Sequence, residues 1–528
     1  MIIDARTIPD GTRLSADICI IGGGPAGIVL ALELSGAGIK VALLESGGLG
    51  YDADTQDLYI GPNLGRPYTP LDEARLRFLG GTSNHWTGIC MVLNPIDFEA
   101  RDWMPHSGWP IGYDEVAAYY DRALPYFELQ TEAPFDFDWW ADRVGGEVLD
   151  LDPQIFVNTA TEMSPPTLFG YAFEDALRRA PDVTVYLNAN VTELDTTDDA
   201  ATVTGARIEC IDGPALTMEA GRYALCAGGV EIPRLLFNSD RVRPEGLGND
   251  TGLVGRFFND HVGVRPLVQT MVGDDTLERL SLYTDAHWLE AGTFHATIGA
   301  SEELLRRERL ASFLFHLFPE PGRSPGNLAL RRLVGGARSG EAPDYLSGEI
   351  WNLMTDLDGG TNALAGALIG QDAPLGERNW LGPWLSMECI PNPDSRVERV
   401  AETDRFGKRR VGLNWQLTEE DHRLARRASE LLVGEFGRLG IGRSWTFADR
   451  PDYEIPMTAA TGKHHCGTTR MSDDPATGVV DRNCKVHGVS NLYIGSCSVF
   501  PTVGHANPTL TIGAMSIRMA EHLRAAAR

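Results

Sequence analysis

No C-x-x-C pair occurs among the eight cysteines (Cys19, Cys90, Cys210, Cys226, Cys389, Cys466, Cys484 and Cys497), so thiolate metal sites and redox dithiols lose their usual signal. Cys19 and Cys226 sit in apolar runs, where cysteine behaves as a small hydrophobe, and all eight are expected to be reduced. No H-E-x-x-H or clustered ligand set is present, and no metal is expected. No apolar run reaches the roughly 18 residues that cross a bilayer. The first residues lack both the charged-then-apolar pattern of a secretory leader and a twin-arginine signal, so a cytoplasmic location is expected. Positive charge is scarce: 46 Lys and Arg stand against 73 Asp and Glu, for a net charge of -27. Such a surface repels nucleic acid and anionic membranes, so neither is expected as a partner. Internal repeats and low-complexity tracts are also missing.

A chain of 528 residues is too long for one ordinary core, and its 43% hydrophobic content is normal for a folded protein. Residues 17–45 read as one βαβ unit. Asp17-Ile18-Cys19-Ile20-Ile21 is a short buried strand, and Gly22-Gly23-Gly24-Pro25-Ala26-Gly27 turns into a helix with Pro25 in its first turn. Lys40-Val41-Ala42-Leu43-Leu44-Glu45 is the second strand. Gly22, Gly24 and Gly27 satisfy G-x-G-x-x-G between strand and helix, the context that gives the motif meaning. They allow a tight turn, close approach to a pyrophosphate and close helix–strand packing. The pyrophosphate would lie on the helix N-terminus, and Glu45 would reach a ribose hydroxyl. The unit alone does not separate NAD from FAD.

Further along, Arg77-Phe78-Leu79-Gly80-Gly81-Thr82-Ser83-Asn84-His85-Trp86-Thr87 pairs glycines with small hydroxyl residues, which lets backbone lie against a flat ligand. A strand and turn are expected over 183–194, strand-like stretches over 222–227, 264–272, 294–300, 384–390 and 409–417, and helices over 301–317 and 418–439. Residues 321–372 give no clear pattern; a helix, a lid or an oligomer contact are the options.

Two C-terminal motifs carry imidazoles and an amide: Lys463-His464-His465-Cys466-Gly467-Thr468 and Gly504-His505-Ala506-Asn507-Pro508-Thr509. Asn507-Pro508 also reads as an N-cap followed by a first-turn proline, opening a helix over 508–525.

Together these residues resemble the glucose–methanol–choline (GMC) oxidoreductases. The resemblance runs through the N-terminal fingerprint, Gly80-Gly81-Thr82-Ser83, Gly228 to Ser239, Gly252 to Arg256, Asp260-His261, Pro391 to Val397 and both C-terminal motifs. His85-Trp86-Thr87 and Ala506 to Thr511 look most like the pyranose oxidase and sugar dehydrogenase branch. The resemblance implies an α/β fold (α+β overall): a Rossmann-like FAD-binding domain interleaved with a substrate domain on a mixed or antiparallel sheet. The FAD-binding parts would be 1–110, 181–260 and 456–528, with a connecting segment at 111–180 and a substrate domain at 261–455.

It implies FAD held by Gly22, Gly24, Pro25, Ala26, Gly27, Glu45, Ser46, Arg77, Gly80, Gly81, Thr82, Asn84, His85, Trp86, Thr87, Val191, Ala227, Gly228, Asn507, Pro508 and Thr509. Covalent attachment at His85 is left open, and Ser83 and Asn84 are alternatively turn-satisfying residues. His464 would take a hydroxyl proton while hydride goes to flavin N5, and Asn507, with His465 or His505, would hold the substrate oxygen. Asp260-His261 reads as structural. The implied reaction is oxidation of a sugar or glycoside alcohol, with oxygen or another molecule as electron acceptor; an oligomer is left open. A non-sugar alcohol, a hydroxynitrile-lyase-like reaction, an NAD dehydrogenase and an electron carrier are the alternatives.

Overall fold

An unbroken apolar run such as Ile18-Cys19-Ile20-Ile21 suits a strand covered on both faces. In the computed structural model, which describes residues 1–319, 329–330, 332–334, 346–355, 380–448, 455–459 and 463–527, this run is the buried end of the strand Arg13–Ile21. That strand lies inside an eight-stranded sheet. Val41–Leu44, Val183–Leu187 and Ile2–Asp4 follow it on one side, all parallel, and Ala215–Leu225 lies parallel on the other. Val203–Glu209 and Asn190–Thr196 extend that side as an antiparallel meander. Leu492–Ile494 runs parallel to the end of Ala215–Leu225, so the C-terminal segment is built into the sheet that the N-terminus begins. The helix Pro25–Leu34 starts on its proline, and beyond it Gly36 and Gly38 take left-handed backbone.

The second eight-stranded sheet is antiparallel throughout. Its order is Met457–Ala459, Val262–Val264, Trp384–Met387, Phe313–His316, Gly292–Ala300, Phe156–Met163 and Ile89–Cys90, with His287–Leu289 beside Gly292–Ala300. It therefore recruits strands from well outside 261–455. Among the described residues all eight cysteines are free and buried.

Three elements differ from their expected form. The stretch 264–272 splits at Pro266, which has no N–H to give a ladder: Val262–Val264 joins the large sheet and Val268–Met271 a small one with Trp380–Leu381 and Arg443–Thr446. The stretch 301–317 is helical only over Glu302–Glu308; Arg309 turns left-handed (φ 57°), and Phe313–His316 returns as a buried strand. The stretch 183–194 is two strands, with Asn188 left-handed between them (φ 58°). By contrast the helix expected over 418–439 forms at Glu419–Leu439, with Thr418 and Asp421 making a reciprocal capping box. Within 321–372 the helix Leu346–Thr355 and residues 329–330 and 332–334 are described; the remainder lies outside the described residues.

Candidate active site

The two chain ends meet at one cavity of ≈ 1840 Å³, its open mouth included. Every residue singled out from the sequence lines it except Gly27, Gly80, Asn84 and His505. The first three act from behind the wall. A Cβ on Gly27 would lie 2.0 Å from the Gly22 carbonyl oxygen, so this glycine is what lets the helix Pro25–Leu34 sit against its strand. Gly80 (φ 95°) donates its N–H to the Gly23 carbonyl at 2.8 Å and so ties the two glycine loops together. Asn84 donates to the carbonyls of Leu79 and Gly81, and Ser83 to that of Gly80; both satisfy turn backbone.

Helix starts dominate the wall. Gly24, the cap of Pro25–Leu34, and Ala227, the cap of Gly228–Asn238, line the cavity and make no side-chain cap bond. Pro508 and Thr509 bring a third start, that of Thr509–Ala527. Free N–H groups at helix N-termini favour anions, so this wall suits a diphosphate. A Cβ on Gly24 would meet no protein atom within 4 Å, as expected of backbone that a ligand approaches. Glu45 is buried, and both its oxygens already accept backbone N–H bonds, from Gly23 at 2.8 Å and Gly47 at 2.9 Å. It shapes the glycine turn; Oε1 also accepts the Ser46 hydroxyl at 3.2 Å, so the lone pair still available to a ribose is on Oε2.

The lining also contains residues that sequence reading missed: Asn190, Thr192, Arg234, Asn238 and the turn Asp404 to Lys408. Arg234 pairs with Asp404 and with Glu231 at 2.8 Å, and Arg77 lies 3.1 Å from Glu231. Arg234, Arg77 and Arg75 together hold the Glu231 carboxyl down to about 2 despite its burial. Only a three-dimensional contact between residues far apart in the chain assembles this group.

The C-terminal motifs line the same cavity. The His464 ring makes its bond through Nδ1, 2.8 Å from His261 Nδ1, and its side chain is 10% exposed. Its opposite edge, carrying Nε2, is left for the cavity. Burial, with His261 and His465 nearby, holds its pKa well below the usual imidazole value. His465 is wedged against Tyr68 and Phe258, its Nε2 buried without a hydrogen-bond partner among the described residues. A Cβ on Gly229 would lie 1.9 Å from the His465 carbonyl oxygen, so the helix Gly228–Asn238 is seated directly on this segment. His505 is buried away from the cavity lining; burial first, then His261 nearby, pushes its pKa down to about 4.

Asn507 is not the residue that caps the last helix. Pro508 supplies the carbonyl that accepts the Ile512 N–H at 2.8 Å, and helix begins at Thr509. Asn507 stands one residue earlier, half-buried, and its amide makes no hydrogen bond among the described residues. It is thereby free for a ligand. His85 is exposed on the same cavity, and its pKa is lowered by partial burial and by Lys463.

The segment read as structural is in fact packed on His464. Asp260 Oδ1 accepts the backbone N–H of His464 at 2.9 Å and of His261 at 2.7 Å, and Oδ2 accepts the Tyr68 hydroxyl at 2.6 Å. Asp260, His261 and His464 bring three potential metal donors within 4.8 Å of one another, yet both Asp260 oxygens and both Nδ1 atoms are already engaged in hydrogen bonds.

Comparison with known proteins identifies the parts. A family model described as GMC oxidoreductase matches residues 391–516, and one described as FAD dependent oxidoreductase matches 17–246. The 2-methyl-1,2-propanediol dehydrogenase of Mycolicibacterium austroafricanum is 24% identical, over 96% of this chain and 95% of its own length. Paromamine 6'-oxidase of Streptomyces fradiae is 24% identical, over 96% of this chain and 90% of its own. Among solved structures, pyridoxine 4-oxidase from Mesorbium loti superposes with a TM-score of 0.52 at 17% identity, covering 96% of this chain and 99% of that one.

Proposed function

This chain belongs to the GMC oxidoreductases, FAD-dependent enzymes that act on alcohol groups, and on that premise we propose that it oxidises a hydroxyl of a sugar or glycoside with His464 as the base. The residues fit the cofactor: the glycine turn leaves room for backbone to approach a diphosphate, and helix N-termini face it. Bound FAD would supply the hydride acceptor. The chain's own residues do the rest. Gly22 to Ala26, with Ala227, Gly228 and Pro508, hold and orient it. His464 Nε2 takes the proton from the substrate hydroxyl. Asn507, through an amide unpartnered among the described residues, holds the substrate oxygen and steadies the charge that develops there. His465 braces the loop from behind, against Tyr68 and Phe258. His85 offers its exposed ring on the same cavity, so an attachment point for FAD is sterically open there.

One observation carries the reading: an imidazole bonded on its inner edge and an amide with no partner among the described residues share the cavity on which three helix starts converge. The sugar assignment is supported by the His85-Trp86-Thr87 and Ala506 to Thr511 motifs and by the paromamine 6'-oxidase relative. A small non-sugar diol is the second reading, supported by the propanediol dehydrogenase relative.

Turnover of a panel of aldoses, glycosides, alkanediols and a cyanohydrin, each with oxygen or with an artificial quinone acceptor, tests the assignment. The expected outcome is a carbonyl product from a sugar or glycoside, with one acceptor clearly preferred. Product from the diols alone transfers the assignment to the second reading. Cyanide release without acceptor consumption overturns both.

A further inference from the structure

The hydrogen bonds around His464 settle where its proton sits. His261 Nε2 lies 3.0 Å from the Gly504 carbonyl oxygen. A carbonyl only accepts, so Nε2 of His261 carries a proton. His261 is 2% exposed, and burial pushes its pKa down to about 4, so the ring is neutral near pH 7. A neutral imidazole has one N–H; with that proton on Nε2, Nδ1 of His261 is bare. The 2.8 Å contact between the two Nδ1 atoms then requires His464 Nδ1 to be the donor. Neutral His464 consequently has no proton on Nε2.

We propose that His261, held by the Gly504 carbonyl, is a positioning residue that fixes the tautomer of His464 and presents a bare Nε2 to the substrate. This rests on the reading of His464 as the base. The opposite tautomer would put an N–H on the cavity side, able to donate to a hydroxyl oxygen but unable to take its proton.

The surroundings hold both ends of this relay. Asp260 Oδ1 accepts the backbone N–H of both histidines, which fixes the two residues to one carboxylate. The same oxygen is 4.0 Å from His464 Nδ1, and Tyr68 anchors the other oxygen. When the substrate proton moves from its oxygen to Nε2, His464 becomes an imidazolium whose Nδ1–H still points at His261 and whose charge lies beside Asp260. Gly504 is itself pinned. Its N–H donates to Glu388 Oε1 at 3.2 Å, and Glu388 is locked to Arg101 by two 2.9 Å bonds with both side chains fully buried. A Cβ on Gly504 would lie 2.5 Å from Asp97 Oδ2, and its φ is +57°, so a side chain there would move the carbonyl that sets the relay.

The test uses the FAD-loaded protein and two variants. His261→Leu removes the acceptor at roughly constant volume. His261→Asn keeps an oxygen near the Nδ1 position. Anaerobic stopped-flow with the best alcohol is expected to show flavin reduction slowed about 10- to 100-fold in His261→Leu, the loss usual for partners that orient metal-bound imidazoles. The substrate dissociation constant should stay near that of the parent, and His261→Asn should recover most of the rate. Nitrogen-15 NMR of histidine-labelled parent protein, without substrate, is expected to show His464 protonated on Nδ1 and His261 on Nε2. The NMR result decides even where His261→Leu does not fold. An unchanged rate in His261→Leu, or a His464 signal protonated on Nε2, overturns the relay. If His464→Ala has lost the reaction while His261→Leu has not, the relay alone falls. If His464→Ala reduces flavin at the parent rate, the base assignment falls and takes the relay with it.

Discussion

Replacing His464 with alanine is expected to slow reduction of bound FAD by alcohol about 10²- to 10⁴-fold, the range that general-base catalysis usually contributes. The protein should stay yellow, because the change leaves intact the glycine turn and helix starts proposed to hold the diphosphate. It should also stay folded. The side chain contributes one ring bond to its surroundings, to His261, while the bond to Asp260 comes from its backbone N–H and survives the change. Rate and flavin content together therefore separate a chemical role from a structural one. Alanine at His465 makes the useful contrast. That ring fills space between Tyr68 and Phe258, so its loss should show in thermal stability more than in the reaction.

Gly27→Ala is expected to yield protein with little or no bound FAD and a clearly lowered melting temperature. The added methyl carbon would sit 2.0 Å from the Gly22 carbonyl oxygen and 3.4 Å from Ile20 Cγ2. The first contact is with rigid backbone, so the helix Pro25–Leu34 must back away from its strand and carry its N-terminal N–H groups out of position. Overpacking of this kind costs about 1–3 kcal/mol or more. Gly24→Ala supplies the control, since its methyl would meet no protein atom within 4 Å. It should fold with the parent's stability and lose affinity for FAD alone. The ratio of absorbance at 280 nm to that of the flavin band, beside melting curves with and without added FAD, reads both outcomes. Full flavin content in both variants would remove the glycine turn from the cofactor site.

How far the sequence carried these conclusions follows from the range of the forces involved. Strand, glycine turn and helix at 17–45 are a local argument, in which a few adjacent residues fix a turn and a packing distance. The capping box at Thr418 and the left-handed Gly440 are local too, and the helix between them formed where expected. Longer strand and helix assignments failed where one residue interrupted a pattern. Pro266 broke 264–272 into strands of two different sheets, and the buried pairing of Phe315 with Ile298 overrode helical spacing after Arg309.

The site was legible as a set of residue types and illegible as a set of contacts. His464 and Asn507 stood out because they match the two C-terminal catalytic positions of the family the chain resembles. Nothing local announces that His261 meets His464 across 203 residues of chain, or that Asp404 reaches Arg234 across 170. Asp260-His261 was read as structural because the family segment it matches is structural; its partners, Tyr68 and the two C-terminal loops, are far away in the chain. The side of Asn507 that mattered was equally hidden: only the bond from Ile512 to Pro508 shows that helix capping does not occupy its amide.

The most direct measurement is anaerobic addition of sugars, glycosides and simple alcohols to the purified yellow protein, followed by admission of air. The account predicts that a sugar or glycoside abolishes the oxidised-flavin band near ~450 nm and leaves a carbonyl product, as alcohol oxidation by a flavin requires. Fast recovery of the band in air would mark oxygen as the acceptor, and slow recovery a different acceptor. A protein that binds FAD yet keeps its oxidised band against every alcohol, while splitting a cyanohydrin, would contradict the account.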